Sequence, residues 1–221
     1  MELEVKTCGL RDAATLDVAV AAGATHLGFV HFPPSPRSLD LSAIARLIDH
    51  ARGRARTVVV TVDPDDALVE RIANEARPDL LQLHGRETPE RVEAVRRFGM
   101  RVVKAVPVAG ADDLRAARRY AGLAERMLFD AKAPAAARLP GGNGVAFDWS
   151  LLREWEGDPF WLAGGLHADN VVEAVNAVRP RGIDLSSGIE SAPGCKDADK
   201  IRALFERLKT GGIALEHAAA A

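Results

Sequence analysis

Cysteine is scarce: Cys8 and Cys195 are the only two in 221 residues. Two cysteines so far apart make no disulfide framework, and a reducing compartment, the cytoplasm, is expected. Charge of one sign is not in excess either, with 29 basic against 31 acidic residues and a net charge of −2. That balance leaves no electrostatic footprint for nucleic acid or an anionic membrane. No apolar run exceeds the length of a strand, which excludes a membrane span, and no basic start followed by an apolar stretch marks a secretory signal. A G-x-G-x-x-G fingerprint, a P-loop and any His/Cys/carboxylate set at metal-ligand spacing are also missing. A reaction without cofactor or metal is the economical expectation. What is present is 48% hydrophobic and 27% charged residues, the balance of a globular protein with ample core.

Strand-like and helix-like stretches alternate throughout. Residues 3–8 alternate apolar with polar and break at Gly9, and residues 11–22 carry a helical apolar stripe that stops at Gly23. Further strands are predicted at 25–31, 57–62, 80–83, 101–106, 126–130, 160–163 and 182–185. Helices are predicted between them: 42–51 capped by Ser42, one opened by Asp63-Pro64-Asp65, then 88–97, 112–120, a short one at 149–154, 168–178 and 197–208. A long connection, 131–148, precedes the short helix. Eight strand–helix pairs with no second domain favour an α/β fold of one domain, a (β/α)8 TIM barrel over residues 1–210, rather than an open sheet of five or six strands. Residues 211–221, ending in Leu215-Glu216-His217 and alanines, are set aside as an appended C-terminal tail.

In such a barrel the carboxyl ends of the strands and the following loops form one active-site face. Cys8, His31 with Arg37, Thr61 with Asp63, Gln82, His84, Lys104, Asp130, Gly164-Gly165 and Ser186-Ser187-Gly188 fall there. A free cysteine is most often a small buried hydrophobe, and an Asp most often a cap or a loop carboxylate. Cys8 from strand one and Asp130 from strand six should face each other across the mouth, where a thiolate base and a carboxylic acid can divide the work. Glycines admit an anion close to backbone N–H groups and serine hydroxyls add donors. Gly164, Gly165, Ser186, Ser187 and Gly188 follow strands seven and eight, where these barrels frequently bind phosphate. Tight turns are the plainer reading of each loop alone. Arg37, in the proline-stiffened loop after strand two, suits a planar carboxylate because its guanidinium can hold two oxygens. Gln82, His84 and Lys104 are weaker candidates, since polar groups at a barrel mouth often serve only the local hydrogen-bond network. His26, His50 and His167 have the setting of surface or packing residues, and Cys195 that of an inert loop thiol.

The chain resembles the phosphoribosylanthranilate isomerases of tryptophan biosynthesis. The stretches that carry the likeness are Lys6-Thr7-Cys8-Gly9-Leu10, Gly28-Phe29, Ser35-Pro36-Arg37-Ser38, Leu81-Gln82-Leu83-His84-Gly85, Phe129-Asp130, Gly141-Gly142-Asn143-Gly144 with Phe147-Asp148-Trp149, and Leu162-Ala163-Gly164-Gly165-Leu166. The last is Asp184-Leu185-Ser186-Ser187-Gly188-Ile189-Glu190 with Pro193-Gly194 and Lys196-Asp197. The resemblance implies an Amadori rearrangement of N-(5′-phosphoribosyl)anthranilate to 1-(2-carboxyphenylamino)-1-deoxyribulose 5-phosphate, the third step of tryptophan synthesis from chorismate. It makes Asp130 the acid that protonates the ring oxygen, Cys8 the base that removes the C2′ proton, and Arg37 the holder of the anthranilate carboxylate. Gly164, Gly165, Ser186, Ser187 and Gly188 would hold the phosphate, with Gln82, His84, Asp184 and Glu190 as site neighbours. The implied partner is a small phosphorylated aminosugar, on a monomer or homodimer. Thr7, Asn143, His31 and the doubled Pro33-Pro34 depart from the usual family pattern. Barrels of the histidine pathway carry an Asp at the position of Cys8, so dual specificity is not expected. Two other readings stand beside this one: an indole-3-glycerol-phosphate synthase, which needs several catalytic lysines and glutamates, and a phosphosugar-binding barrel without turnover.

Overall fold

The computed structural model describes residues 2–132, 141 and 147–217. Gly142, Asn143 and Gly144, which carry part of the resemblance, lie outside the described residues, as do 218–221. Eight parallel strands close into a barrel in the order of the sequence. They are β1 (Glu4–Cys8), β2 (His26–Val30), β3 (Arg56–Thr61), β4 (Leu80–Leu83), β5 (Arg101–Val108), β6 (Arg126–Ala131), β7 (Phe160–Leu162) and β8 (Gly182–Leu185). Closure comes from β1 pairing with β8, Lys6 opposite Asp184. The helices are α1 (Ala13–Ala22), α2 (Leu41–Ala51), α3 (Asp66–Arg71, continued as a π turn over Ile72–Ala76), α4 (Pro89–Arg96), α5 (Ala111–Ala117), α6 (Val171–Val178) and α7 (Ala198–Thr210). A 3₁₀ stretch, Trp149–Glu154, fills the helical place between β6 and β7. Beyond β8 a short hairpin, β9 (Glu190–Ala192) with antiparallel β10 (Cys195–Lys196), precedes α7.

The helical apolar stripes are what seat the outer ring. In α2 the buried residues are Leu41, Ile44, Ile48 and Ala51, and in α7 they are Ile201, Leu204, Phe205 and Leu208. The first set is spaced i, i+3, i+7, i+10 and the second i, i+3, i+4, i+7, and either spacing puts side chains on one face. They pack against outward strand residues such as Val5, Leu27, Phe29, Val59 and Phe129 in one continuous core. Each such residue, fully buried, contributes about 1.5–3 kcal/mol. A separate core fills the barrel itself, from Val58, Leu80, Val103, Ala105, Leu128, Trp161 and Ala163. Strands of a barrel are covered on both faces, so the polar positions of β1 do not face water. Glu4 and Lys6 are 1% and 0% exposed, pointing into the lumen.

Local starts and stops mostly follow side-chain chemistry. Gly23 ends α1 with φ 116°, a left-handed conformation that suits glycine. Helix α2 is capped by Asp40, not Ser42. Asp40 Oδ1 accepts from the Ala43 N–H at 2.7 Å, and Ser42 instead donates its hydroxyl to the same carboxylate. Helix α3 is capped by Asp65, so Pro64 precedes the helix instead of occupying its first turn. Residues 211–217 belong to the fold after all. Leu215 bridges to Leu3, the Leu3 N–H donates to the Ala214 carbonyl at 2.8 Å, and Glu216 pairs with Arg181. No described helix is long and apolar enough to cross a membrane.

Candidate active site

At the carboxyl ends of the strands lies a cavity that opens to solvent. Cys8, Arg37, Gln82, His84, Asp130, Gly164, Gly165, Asp184, Ser186 and Ser187 all line it. Of the remaining expected residues, Gly188 and Glu190 stand behind the wall. Gly188 lies so close to the Leu166 carbonyl that any side chain there would collide with it. Glu190 is buried against Arg37 and Lys196.

Cys8 ends β1, 6% exposed, with its side chain toward the lumen. Its neighbour two residues back on the same strand face is Lys6, whose Nζ donates to Asp184 Oδ1 at 2.9 Å. Gly28 on β2 makes room for both. A Cβ there would stand 2.9 Å from Cys8 Sγ and 3.0 Å from Lys6 Cε. Burial pushes the Cys8 thiol above its usual range, the Asp184 carboxylate adds to that, and Lys6 and Lys196 work in the opposite direction. Burial alone would lower Lys6, but Asp184 and Cys8 more than offset it, so its ammonium is held. Sequence reading gave no role to Lys6, because alternation alone marks it as a polar position on one face.

Asp130 sits across the mouth on β6, 6% exposed. His84 Nε2 lies 3.3 Å from its Oδ2, and Gln82 Nε2 donates to His84 Nδ1 at 2.8 Å. The turn after His84 is pinned by Glu87, a buried carboxylate that accepts from the N–H groups of Gly85 and Asp63 and from Lys104. Lys104 thus points away from the cavity: its ammonium is used by Glu87 and by the carbonyls of Gly85 and Ala105 at 2.8, 3.0 and 2.7 Å. Asp63, with φ 47°, accepts from the Arg86 N–H, and His31 is tied to the Leu39 carbonyl. None of these three joins the cavity wall.

Arg37 reaches the cavity, but its fork is occupied. Nε and Nη2 donate to the two oxygens of Glu190 at 2.8 and 2.7 Å. The expected two-oxygen grip on a ligand is therefore made on a residue of the chain, which leaves Nη1 as the free edge among the described residues. Arg37 and Lys196 also hold Glu190 below the usual carboxylate range against the raising effect of its burial. Lys196 spans from Glu190 Oε1, at 2.6 Å, to the Ser186 carbonyl, at 3.0 Å, and so braces the loop after β8.

The two glycine–serine loops converge on one side of the mouth. Gly164 and Gly165 are consecutive left-handed residues, φ 89° and 63°. Asn170 takes the Gly165 carbonyl at 2.9 Å, turning the loop's carbonyl inward. Among the described residues, the N–H groups of Gly164, Gly165, Ser187 and Gly188 donate to no other group of the chain. Those of Gly164, Gly165 and Ser187 belong to the cavity wall, and such unspent donors make a nest for an anion. The opposite wall is apolar, from Val30, Phe32, Val60 and Val62, a surface fit for a flat ring that the sequence did not single out.

A thiol and a carboxyl that can exchange protons with one ligand, beside a nest for its anionic group, place the chain among the barrel enzymes that rearrange small phosphorylated molecules. Comparison with known proteins narrows that class. A sequence model of N-(5′-phosphoribosyl)anthranilate isomerase matches residues 5–207. The N-(5′-phosphoribosyl)anthranilate isomerase of Chelativorans sp. (strain BNC1) is 52% identical over 95% of this chain and 97% of its own length. That of Rhodopseudomonas palustris (strain BisA53) is 55% identical over 93% and 95%. The crystal structure of phosphoribosyl anthranilate isomerase from Thermotoga maritima superposes with a TM-score of 0.86 at 30% identity, covering 94% of this chain and 99% of that one. A second structure, of the isomerase in complex with reduced 1-(o-carboxyphenylamino)-1-deoxyribulose 5-phosphate, gives 0.82 at 29% identity, with the same coverage. The chain belongs to the N-(5′-phosphoribosyl)anthranilate isomerase family.

Proposed function

We propose that the chain isomerises N-(5′-phosphoribosyl)anthranilate to 1-(2-carboxyphenylamino)-1-deoxyribulose 5-phosphate, with Asp130 as general acid and Cys8 as general base. The observation that carries this reading is the joint presence of Cys8, Asp130 and the Gly164-Gly165 and Ser186-Ser187 loops on one cavity. Asp130 gives its proton to the furanose ring oxygen as the C1′–O bond breaks, and the anilino nitrogen lone pair forms the Schiff base. The Cys8 thiolate then takes the C2′ proton, leaving an enolamine. That species becomes the ketone by gaining a proton at C1′ and losing one from the C2′ hydroxyl. The phosphate sits in the glycine–serine nest, the anthranilate ring against Val30, Phe32, Val60 and Val62, and its carboxylate on the free Nη1 edge of Arg37. Asp184 acts through Lys6, keeping an ammonium beside the sulfur that becomes negative. Every group in this scheme comes from one chain, so monomer and homodimer are equally serviceable, and the free thiol at Cys8 favours a reducing cytoplasm.

The test is the loss of substrate fluorescence, with phosphoribosylanthranilate generated in situ from anthranilate and phosphoribosyl pyrophosphate. A decay proportional to enzyme, without added cofactor and abolished in Asp130→Asn, is expected. Retention of a phosphosugar analogue with no decay in the unmodified protein would leave only a binding barrel.

A further inference from the structure

A carboxylic acid has two oxygens, and ring opening needs the proton on the one that faces the sugar. Asp130 Oδ2 lies toward His84, 3.3 Å from Nε2. Oδ1 lies toward the Gly164 turn, 3.0 Å from where a Cβ on Gly164 would stand. His84 Nδ1 is 2.8 Å from Gln82 Nε2, an amide nitrogen that can only donate. An imidazole that accepts at Nδ1 carries its hydrogen on Nε2. Oδ2 is the carboxyl oxygen nearest that hydrogen, 3.3 Å between heavy atoms, which leaves Oδ1 for the transferable proton. The other end of Gln82 is unspent: Oε1 is buried without a partner among the described residues, on a side chain that lines the cavity. Gly141 closes over the pair, since a Cβ there would stand 2.6 Å from His84 Nε2 and 2.8 Å from Asp130 Oδ2.

We infer that Gln82 and His84 are positioning residues of the acid step. Gln82 donates to His84 Nδ1, and His84 in turn presents its Nε2 hydrogen to Asp130 Oδ2. Both donors run in one direction, which strengthens each link and places the acid proton on Oδ1. This rests on Asp130 being the acid.

Gln82→Glu tests the chain with a side chain of the same size. A carboxylate only accepts, so it draws the His84 hydrogen to Nδ1, turns Nε2 into an acceptor and pulls the Asp130 proton to Oδ2. Expected are a fall in kcat of about 100-fold with KM within about threefold, within the span of general acid catalysis. Nitrogen-15 NMR of His84 should show the Nε2–H tautomer in the unmodified protein and Nδ1–H in the variant. Gln82→Met, which adds no charge, should lose about tenfold in kcat and show mixed tautomers, and His84→Gln, which can still donate to Oδ2, should outperform His84→Ala. An Nδ1–H tautomer in the unmodified protein, or unchanged kcat in both Gln82 variants, overturns the inference. A fully active Asp130→Asn would instead remove the acid reading itself, so the two failures are told apart.

Discussion

The two ends of the barrel lumen hold similar groups in opposite conditions. At the amino-terminal floor Glu4 is saturated. Arg126 Nη2 and Arg181 Nε donate to its Oε1 at 3.0 and 3.2 Å, and Trp161 Nε1 donates to its Oε2 at 2.5 Å. Burial would raise the Glu4 carboxyl, but Arg126 and Trp161 outweigh it and hold it below the usual range. At the mouth, four residues further along the same strand, Cys8 has burial and a carboxylate against its charged form, and Gln82 and the loop amides keep unspent hydrogen-bonding capacity. Buried polar groups that are fully matched hold a fold together; those left partly unmatched wait for a ligand. Burial and charge alone do not separate the two cases, because both ends have them. The state of the partners does.

That contrast is broken first at the mouth. Cys8→Ala should cut kcat by about 10³–10⁴-fold while the melting temperature stays within about 2 °C, since the thiol contributes chemistry and little packing. For the unmodified enzyme, kcat/KM should rise with pH through the neutral range and beyond, because the raised thiol must ionise before it can act as base. A flat profile from pH 6 to 9, roughly the span below and around a thiol's ordinary range, would count against Cys8 as base. At the floor the expectation inverts. Glu4→Gln leaves two arginines without their carboxylate and should cost about 3–5 kcal/mol in denaturant unfolding, with kcat per folded molecule unchanged. His26 gives a smaller, pH-dependent effect. Burial pushes it down to about 3, so between about 6.5 and 3 the unfolded chain takes up a proton that the folded one refuses. Stability should therefore fall as pH drops, by up to about 1.4 kcal/mol per pH unit, and His26→Phe should flatten that slope in urea titrations. The smallest effect belongs to the C-terminal segment. Truncation after Gly212 removes the Leu3–Leu215 bridge and the Arg181–Glu216 pair, and should lower the melting temperature by a few degrees without touching kcat.

Much of this was legible in the sequence. Strand and helix alternation yields eight pairs, and position at a strand's carboxyl end marks Cys8, Asp130 and the glycine–serine loops. Lys6 was not legible, because an alternating strand gives two faces without saying that the polar one turns into a lumen. The Arg37–Glu190 pair was not either, since it joins residues 153 positions apart that only the closed barrel brings together. Ser42 opens the apolar run but does not cap it, because Asp40 has the carboxylate reach that the first turn uses. Gln82 and His84 were visible as polar neighbours, but the direction of their hydrogen bonds depends on where Asp130 stands.

Gly28 carries no functional group, yet it occupies the one point of the lumen wall that Lys6 and Cys8 both lean over. In a survey scoring every single substitution for growth without tryptophan, position 28 should be as intolerant as position 8, even to alanine. Gly110, with open space where a side chain would go and an extended backbone, should be far more forgiving. A map of intolerance over this barrel would thus record vacancies as well as reagents, and would report the shape of the Cys8 thiol's surroundings by the residue that is not there.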